Sequence, residues 1–408
     1  MEVQMKFLLG VLLASLLFLP PQPITPAITP HQAQAMELSP QLALEQLFTT
    51  PQLKQEWFAP SFLNQIPLAQ LEQIIDNIKN TLGSYQEVEA DGSDYLVIFE
   101  QGSVPTKLVL DVNHQISGLL FQPPISKGIS LKVAQEMFRA LPGKISFLVL
   151  EDDSERVALK ANQPLAVGSA FKLAVLKALR QQIDAGILAW DDVVELKEDS
   201  KSLPSGILQT WPDGSQLTVQ TLATLMISVS DNTATDILIN LVGRELIESF
   251  APRNRPFLST REAFVLKNPQ NQSLLERYRQ GDEINRRELV NQLQSYPLPS
   301  VDIFSASTVA VDVEWFFTTR ELCQLMATVA DLPLMSINPG VARPNDWSHI
   351  AFKGGSEPGV FNLTTRLEAK DGKTYCVAAT WNNTVPLDET QFTSIYLGAI
   401  AGLIGNPG

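Results

Sequence analysis

The chain has 408 residues, of which 45% are hydrophobic and 18% charged, so it can form a large core and is not a disordered chain. This length allows two domains, or three. The formal net charge is -14, and a surface of that sign repels phosphate backbones, so we expect no nucleic-acid partner. The three histidines and two cysteines show no zinc-finger or HExxH spacing, and no Walker A or GxGxxG motif occurs. The common metallohydrolases, P-loop enzymes and dinucleotide oxidoreductases are therefore excluded, and we expect no metal and no cofactor.

The first segment, residues 1–35, has the pattern of a secretory signal peptide. Lys6 precedes the apolar run Phe7–Leu19, which is too short to span a bilayer as a helix. Ala33-Gln34-Ala35 supplies a small-x-small cleavage site, although the long gap before it also allows an uncleaved anchor. No later stretch has the length of an apolar span, so we expect an exported protein without an integral membrane segment, periplasmic or extracellular.

Residues 36–124 predict a small α+β domain. Pro67 begins a helix with apolar side chains at helical spacing up to Leu82, and Gly83 follows as a C-cap. Four strand-like runs come next, with one of their turns at Gly102–Ser103: Tyr85–Ala90, Tyr95–Gln101, Lys107–Val112 and Ile116–Phe121. Helices before a meander resemble the cystatin and nuclear-transport-factor-like folds. The segment Gln122–Ser126 is predicted to be a linker.

Residues 129–408 predict a second domain with a helical layer between two groups of strands. A helix near Gln391–Ile404 closes the chain, and the strand-like runs are Ile145–Glu151, Arg156–Lys160, His349–Lys353, Gly359–Glu368 and Thr374–Trp381. This order predicts one sheet made from both ends of the domain. For Cys323 and Cys376 we expect two separately buried thiols, with a disulfide as the alternative in an oxidising compartment.

The first chemical motif is Ser169-Ala170-Phe171-Lys172, at the start of an almost wholly apolar stretch. A helix that is apolar all round is buried, and residues at i and i+3 share one face, so the Lys172 nitrogen can reach the Ser169 hydroxyl. Burial lowers the pKa of a lysine, which makes Lys172 a plausible base for a serine nucleophile. The alternative is a chance SxxK spacing on a surface helix.

Two further motifs follow in the chain. Ser230-Asp231-Asn232 begins a helical segment, where Ser, Asp and Asn are also ordinary N-caps. Lys353-Gly354-Gly355-Ser356 ends a strand-like run, where glycines allow a ligand to approach the backbone and Lys353 offers a cation. Read alone, this third motif is typical of an ordinary turn.

In this order the three motifs resemble the SxxK, SDN and KTG set of class A β-lactamases and penicillin-binding proteins. Residues 129–408 therefore resemble the catalytic domain of the class A serine β-lactamase-like superfamily. The resemblance implies an α+β fold of the DD-peptidase/β-lactamase type, with an antiparallel sheet and an inserted helical layer. It also implies a small-molecule partner, either a β-lactam or a peptidoglycan-like substrate.

The resemblance assigns a role to each motif residue. It implies that Ser169 is the acyl-accepting nucleophile, Lys172 its proton acceptor and Ser230 the proton shuttle to the leaving nitrogen. Asn232 would hold the side-chain amide of the substrate, and Lys353 and Ser356 would bind its carboxylate. The oxyanion hole would consist of the backbone N–H groups of Ser169 and Ser356.

Two departures from the family pattern are visible. The third motif is Lys-Gly-Gly-Ser, so the hydroxyl usual at its second position is missing and Ser356 is its expected substitute. The Glu-x-x-Leu-Asn loop that supplies the deacylating carboxylate has no match between Arg253 and Pro299, where Glu262 is nearest in position. Asn268–Ser295 looks like an inserted loop and helix. We therefore expect slow deacylation.

The three motifs are compatible with several functions. The prediction is an exported serine hydrolase, acylated at Ser169, that opens β-lactams or related amides and esters. The alternatives are a penicillin-binding DD-peptidase or esterase with weak or no lactamase activity, and a non-catalytic wall-binding module. A Ser-His-Asp hydrolase is disfavoured, because no GxSxG motif exists and His349 is the only histidine of the second domain.

Overall fold

The structure, a computed structural model, describes residues 39–122, 124–304 and 308–405. It divides the chain into two units, residues 1–129 and 130–408. The predicted signal segment, residues 1–35, lies outside the described ranges. Within those ranges, no helix combines the length and hydropathy that a membrane crossing requires.

The first unit consists of three helices followed by an antiparallel meander. Its strands are paired in the order β1-β2-β3-β4, and a short β5 pairs with β3. Its core contains an aromatic cluster in which Phe48 contacts Tyr85, Phe99 and Phe121. The elements are α1 (Pro40–Thr49), α2 (Pro60–Leu63), α3 (Leu68–Leu82), β1 (Tyr85–Asp91), β2 (Asp94–Phe99), β3 (Gly102–Leu110), β4 (Ile116–Phe121) and β5 (Ile125–Ser126).

Two predicted boundaries of this unit are wrong. Phe99 pairs with Gly102, so the turn consists of residues 100 and 101, and Gly102–Ser103 already belong to β3. Lys107 is too late as the predicted start of β3, because Pro105, a residue that strands usually avoid, lies inside this strand. The predicted linker is also too long, because Ile125 pairs with Ser103 as part of β5.

The second unit places a long helical region between its strands, as the sequence predicts. The helical part runs from α5 to α12. The elements are α4 (Leu131–Ala140), β6 (Lys144–Glu151), β7 (Ser154–Leu159), β8 (Leu165–Ala166), α5 (Lys172–Asp184), β9 (Val193–Glu195), β10 (Gln216–Thr218), α6 (Val219–Ser228), α7 (Asn232–Val242), α8 (Arg244–Phe250), α9 (Thr260–Lys267), α10 (Gln272–Gln280), α11 (Glu283–Leu293), β11 (Phe316–Phe317), α12 (Thr319–Ala327), β12 (His349–Glu357), β13 (Val360–Glu368), β14 (Thr374–Asn382) and α13 (Glu389–Gly405).

One antiparallel sheet joins the two ends of this unit, in the order β12-β13-β14-β6-β7. The predicted α+β fold with an antiparallel sheet and an inserted helical layer is therefore confirmed. Helices α4 and α13 cover one face, where Phe392 of α13 contacts Phe361 of β13 and Trp381 of β14. The opposite face meets α12 and the turn before α5. Strand β12 lies at the edge of the sheet, next to that turn.

A disulfide joins Cys323 of α12 to Cys376 of β14. The expectation of two separate thiols is therefore wrong. Both side chains are buried, as expected, but the sequence gives no distance between two cysteines that lie 53 residues apart. The bond ties the helical layer to the sheet.

We expect the disulfide to stabilise the second unit by restricting its unfolded chain. Closing a loop of this length contributes about 2–4 kcal/mol to the free energy of unfolding. Chemical denaturation of a variant that carries both Cys323→Ala and Cys376→Ala should show a loss of that size. Reductant should lower the wild-type midpoint and leave the double variant unchanged. An equal effect of reductant on both proteins would contradict this assignment.

Candidate active site

Lys172 is the buried centre of the candidate site. It is the first residue of α5, directly after the single helical turn Gly168–Phe171, and its side chain is 0% exposed. Apolar residues surround it on this helix, as the sequence predicts. The Lys172 Nζ lies 3.1 Å from the Ser169 Oγ, so the predicted i, i+3 contact is present.

The remaining acceptors of the Lys172 amine come from one short segment at the start of α7. Nζ lies 2.6 Å from the carbonyl oxygen of Ser230, 3.0 Å from its Oγ and 2.7 Å from the Oδ1 of Asn232. All of these acceptors are uncharged groups. The structure thus brings together Ser169, Lys172, Ser230 and Asn232.

The backbone of Ser230 has an uncommon conformation that aims two of its atoms at Lys172. Its φ angle is 58°, in the left-handed region that a residue with a Cβ occupies only when its surroundings hold it there. Asp231 provides that support, because its carboxylate caps α7 at Ala234 and accepts from the N–H groups of Ile207 and Leu208. The N-cap interpretation of this motif is therefore also correct, and the capping residue is Asp231.

Lys353 continues the network from the sheet. Its Nζ lies 3.1 Å from the Ser230 Oγ, so the Ser230 hydroxyl lies between two lysine amines. Lys353 is 3% exposed, and burial lowers its pKa to about 7. Burial also lowers the pKa of Lys172 well below its usual value, and the nearby charge of Lys353 adds to this effect. A neutral amine at Lys172 can accept the proton of the Ser169 hydroxyl.

The edge strand β12 packs directly against the Ser169 turn. A Cβ on Gly355 would lie 2.5 Å from the Ser169 nitrogen, so only glycine fits there. A Cβ on Gly168 would lie 3.3 Å from the Ser356 nitrogen. Glu357 and Val360 close a two-residue turn, so Ser356 falls in a non-hydrogen-bonded pair and its N–H points away from β13. The N–H groups of Ser169 and Ser356 thus border one space.

A family model described as the Beta-lactamase enzyme family matches residues 131–395. The chain belongs to this family. It is 28% identical over 120 residues to the β-lactamase VEB-1 of Pseudomonas aeruginosa, an alignment that covers 28% of this chain and only 39% of that enzyme. The resemblance predicted from the three motifs is confirmed.

Solved structures named as β-lactamases and PBP-A align with about two thirds of the chain. A β-lactamase from Sphaerobacter thermophilus has a TM-score of 0.45 at 20% identity and covers 68% of this chain and 97% of its own. PBP-A has a TM-score of 0.47 at 16% identity, with coverages of 68% and 98%. A class A β-lactamase from Bacteroides cellulosilyticus has a TM-score of 0.47 at 16% identity, with coverages of 67% and 97%.

Ser356 differs from its predicted role in this β-lactamase family site. Its hydroxyl donates to the Glu389 Oε1 at 2.5 Å, on the sheet face covered by α13, so it does not replace the missing hydroxyl of the third motif. Burial raises the pKa of Glu389, and the Ser356 hydrogen bond opposes that shift. Only the Ser356 backbone N–H is directed at the Ser169 turn.

Glu262 has a structural position, which corrects its interpretation as the deacylating base. Its two oxygens accept hydrogen bonds from Arg244 at 2.8 and 3.0 Å, and one of them also accepts from the Ser259 N–H. Ser259 and Glu262 form the capping box of α9. The sequence Ser-x-x-Glu is the pattern of a capping box, and this pattern indicates a structural role for Glu262.

Four charged residues near the site were not predicted. Lys267, Glu314 and Glu357 form one ion cluster, and Glu389 faces Ser356. The sequence could have indicated Glu357, because this residue directly follows the third motif on the same strand. The others come from distant segments, and no local pattern marks them. The predicted inserted loop and helix at Asn268–Ser295 contains two helices, α10 and α11.

We predict that Lys353→Met shifts the pH dependence of Ser169 reactivity. Removing the Lys353 charge raises the pKa of Lys172, so the reaction with a neutral activated ester should begin at higher pH than in the wild type. Stopped-flow rates from pH 5 to pH 9 measure this shift, with Lys353→Arg as the variant that keeps the charge. If the rate falls at the same low pH in Lys353→Met and in the wild type, the two amines do not interact.

We predict that Glu262→Gln reduces stability and leaves the chemistry unchanged. Losing a charge-assisted pair with Arg244 costs about 2 kcal/mol of unfolding free energy, measured by urea denaturation. Acylation and deacylation rates per folded molecule should equal those of the wild type. Accumulation of an acyl-enzyme in this variant alone would restore Glu262 as the base.

Proposed function

We propose that this protein is a serine hydrolase that is acylated at Ser169 by β-lactams or related cyclic amides and esters. The contact between the Ser169 Oγ and the buried Lys172 Nζ carries this proposal. An SxxK pair inside an apolar helix has no structural use that an apolar pair would not serve better. Membership of the β-lactamase enzyme family supports the same reaction class.

The proposed acylation uses the groups of the network in sequence. Lys172 accepts the Ser169 proton as the Oγ attacks the carbonyl carbon, and the N–H groups of Ser169 and Ser356 stabilise the oxyanion. The C–N bond then breaks, and the leaving nitrogen takes a proton from the Ser230 hydroxyl. Lys172 returns a proton to Ser230, with which it is in contact at 3.0 Å. Each group ends uncharged, and Ser169 carries the acyl ester.

Substrate orientation is proposed to come from Lys353 and Asn232. Lys353 is the cation nearest the reacting network and suits a substrate carboxylate. The Asn232 Nδ2 donates one proton to the Leu203 carbonyl oxygen, which leaves its second proton for a substrate amide. The Ser356 hydroxyl, bonded to Glu389, plays no part in this proposal.

We also propose that the protein is exported and works in the periplasm or outside the cell. The pattern of residues 1–35 supports this proposal, and so does the disulfide, because such bonds persist in oxidising compartments. The role of the first unit, residues 36–124 as predicted, does not enter the chemistry proposed here.

A penicillin-binding or esterase role is the second candidate. The observation in its favour is that Arg244 and Ser259 occupy the oxygens of Glu262, the residue expected to activate the hydrolytic water. A protein that acylates readily and hydrolyses its ester slowly would behave as a penicillin-binding protein.

Intact-mass spectrometry with benzylpenicillin and with nitrocefin tests the proposal. We expect an adduct of one equivalent in the wild type and none in Ser169→Ala, together with a burst and slow turnover of nitrocefin. Ser154→Ala, at the exposed first residue of β7, is the matched control and should react like the wild type. Fast turnover without a burst would indicate an efficient lactamase. An adduct on another residue, or no reaction at all, would refute the proposal and leave a binding module.

A further inference from the structure

The two faces of strand β12 have different surroundings at the candidate site. Ser356 lies opposite Phe361, and Phe361 contacts Phe392 of α13, so the Ser356 side chain is on the α13 face. Side chains alternate along a strand, so Lys353, Gly355 and Glu357 share the opposite face. That face meets the Ser169 turn, because a Cβ on Gly355 would contact the Ser169 nitrogen.

The Glu357 side chain therefore projects from the face of β12 that meets the Ser169 turn, two residues beyond Gly355. Two residues of a strand correspond to about 7 Å. The charge of Glu357 acts on Lys172, where it opposes the lowering of the lysine pKa. The Glu357 side chain is 26% exposed, so it is accessible to solvent, unlike the buried Glu262.

Glu357 is held by an ion cluster that leaves one of its oxygens available. Its Oε2 accepts from the Lys267 Nζ at 2.8 Å, whereas its Oε1 has no hydrogen-bond partner among the residues that the structure describes. Lys267 also contacts Glu314, and the side chains of both residues are almost completely buried. Glu314 balances the charge of Lys267, so the negative charge of Glu357 is not cancelled by this lysine alone.

The Glu314 carboxylate indicates that this cluster has a task beyond stability. Its Oε2 is buried and has no hydrogen-bond partner within the described part of the chain. Leaving a charged oxygen in that state is unfavourable, and two carboxylates around one buried lysine are a costly arrangement for stability alone. An apolar cluster of equal volume would stabilise the fold at least as well.

We propose that Glu357 is the general base that activates water for hydrolysis of the Ser169 acyl-enzyme, with Lys267 and Glu314 as its positioning residues. This inference rests on the proposed function, because it needs an acyl ester at Ser169. It places the base on the strand that supplies the oxyanion N–H of Ser356.

The step balances without another reactant. The Glu357 Oε1 takes a proton from water as the water oxygen bonds to the ester carbon, and the oxyanion is held by the Ser169 and Ser356 N–H groups. The bond from carbon to the Ser169 Oγ then breaks, and the Oγ recovers the proton from Glu357. One water is consumed, and the products are a carboxylic acid and free Ser169.

The test is the time course of the acyl-enzyme, followed by intact-mass spectrometry after a pulse of benzylpenicillin. Glu357→Gln keeps the side-chain length and an acceptor for Lys267 but cannot take a proton. We expect wild-type acylation in this variant and deacylation slower by at least about a hundredfold. Glu368→Gln, at the far end of the same sheet, is the matched control and should deacylate at the wild-type rate.

The conservative variant separates a catalytic role from a structural one. Glu357→Asp should recover part of the rate. Lys267→Met should slow deacylation and leave the mass of the adduct at Ser169 unchanged.

Two outcomes would overturn the inference. Equal deacylation by Glu357→Gln and wild type, whether both are fast or both are slow, would remove Glu357 from the reaction while leaving acylation at Ser169 intact. A wild-type protein that never forms the adduct would refute the proposed function, and the inference with it.

Discussion

Lys172 remains buried because four oxygen positions surround its amine. A lysine nitrogen without water or acceptors is very unfavourable inside a protein, so the chain must bring polar atoms to it. One oxygen belongs to Ser169 on the same helical turn, and three belong to the segment Ser230–Asn232. The left-handed backbone of Ser230 and the capping carboxylate of Asp231 follow from this requirement. The candidate site and the junction between α5 and α7 are therefore one structure.

The second constraint on the site is the close approach of strand β12 to the Ser169 turn. This strand is an edge strand, so one side of its backbone is free of sheet pairing and can border the Ser169 turn. Gly355 makes that approach possible, and the alternation of side chains then sends Lys353 and Glu357 to the turn and Ser356 to α13. A strand near the end of the sequence thus completes a site whose first residue is Ser169. The sheet, which contains strands from both ends of the unit, holds this strand beside the Ser169 turn.

The sequence predicts the parts of this site that depend on local pattern. Ser169, Lys172 and Ser230 follow from spacing and apolar context, and the sheet follows from the order of the strand-like runs. The disulfide, the Arg244–Glu262 pair and the Lys267 cluster each join segments that are distant in the chain, so they depend on tertiary packing and leave no local signal. Ser356 was misassigned for a related reason, because its partner Glu389 lies on another element.

Three buried lysines of the second unit differ in the charge of the groups around their amines, and this difference suits them to different roles. The acceptors around Lys172 are neutral oxygens, and Lys353 adds a repelling charge, so burial dominates and the amine of Lys172 loses its proton readily. Lys353 contacts a hydroxyl and a carbonyl oxygen, and burial brings its pKa to about 7. Lys267 instead lies between two carboxylates, those of Glu314 and Glu357. One fold can thus hold a lysine suited to accept a proton, a lysine suited to bind an anion and a lysine suited to orient a carboxylate, because the charge of the nearest groups differs while burial is similar in all three.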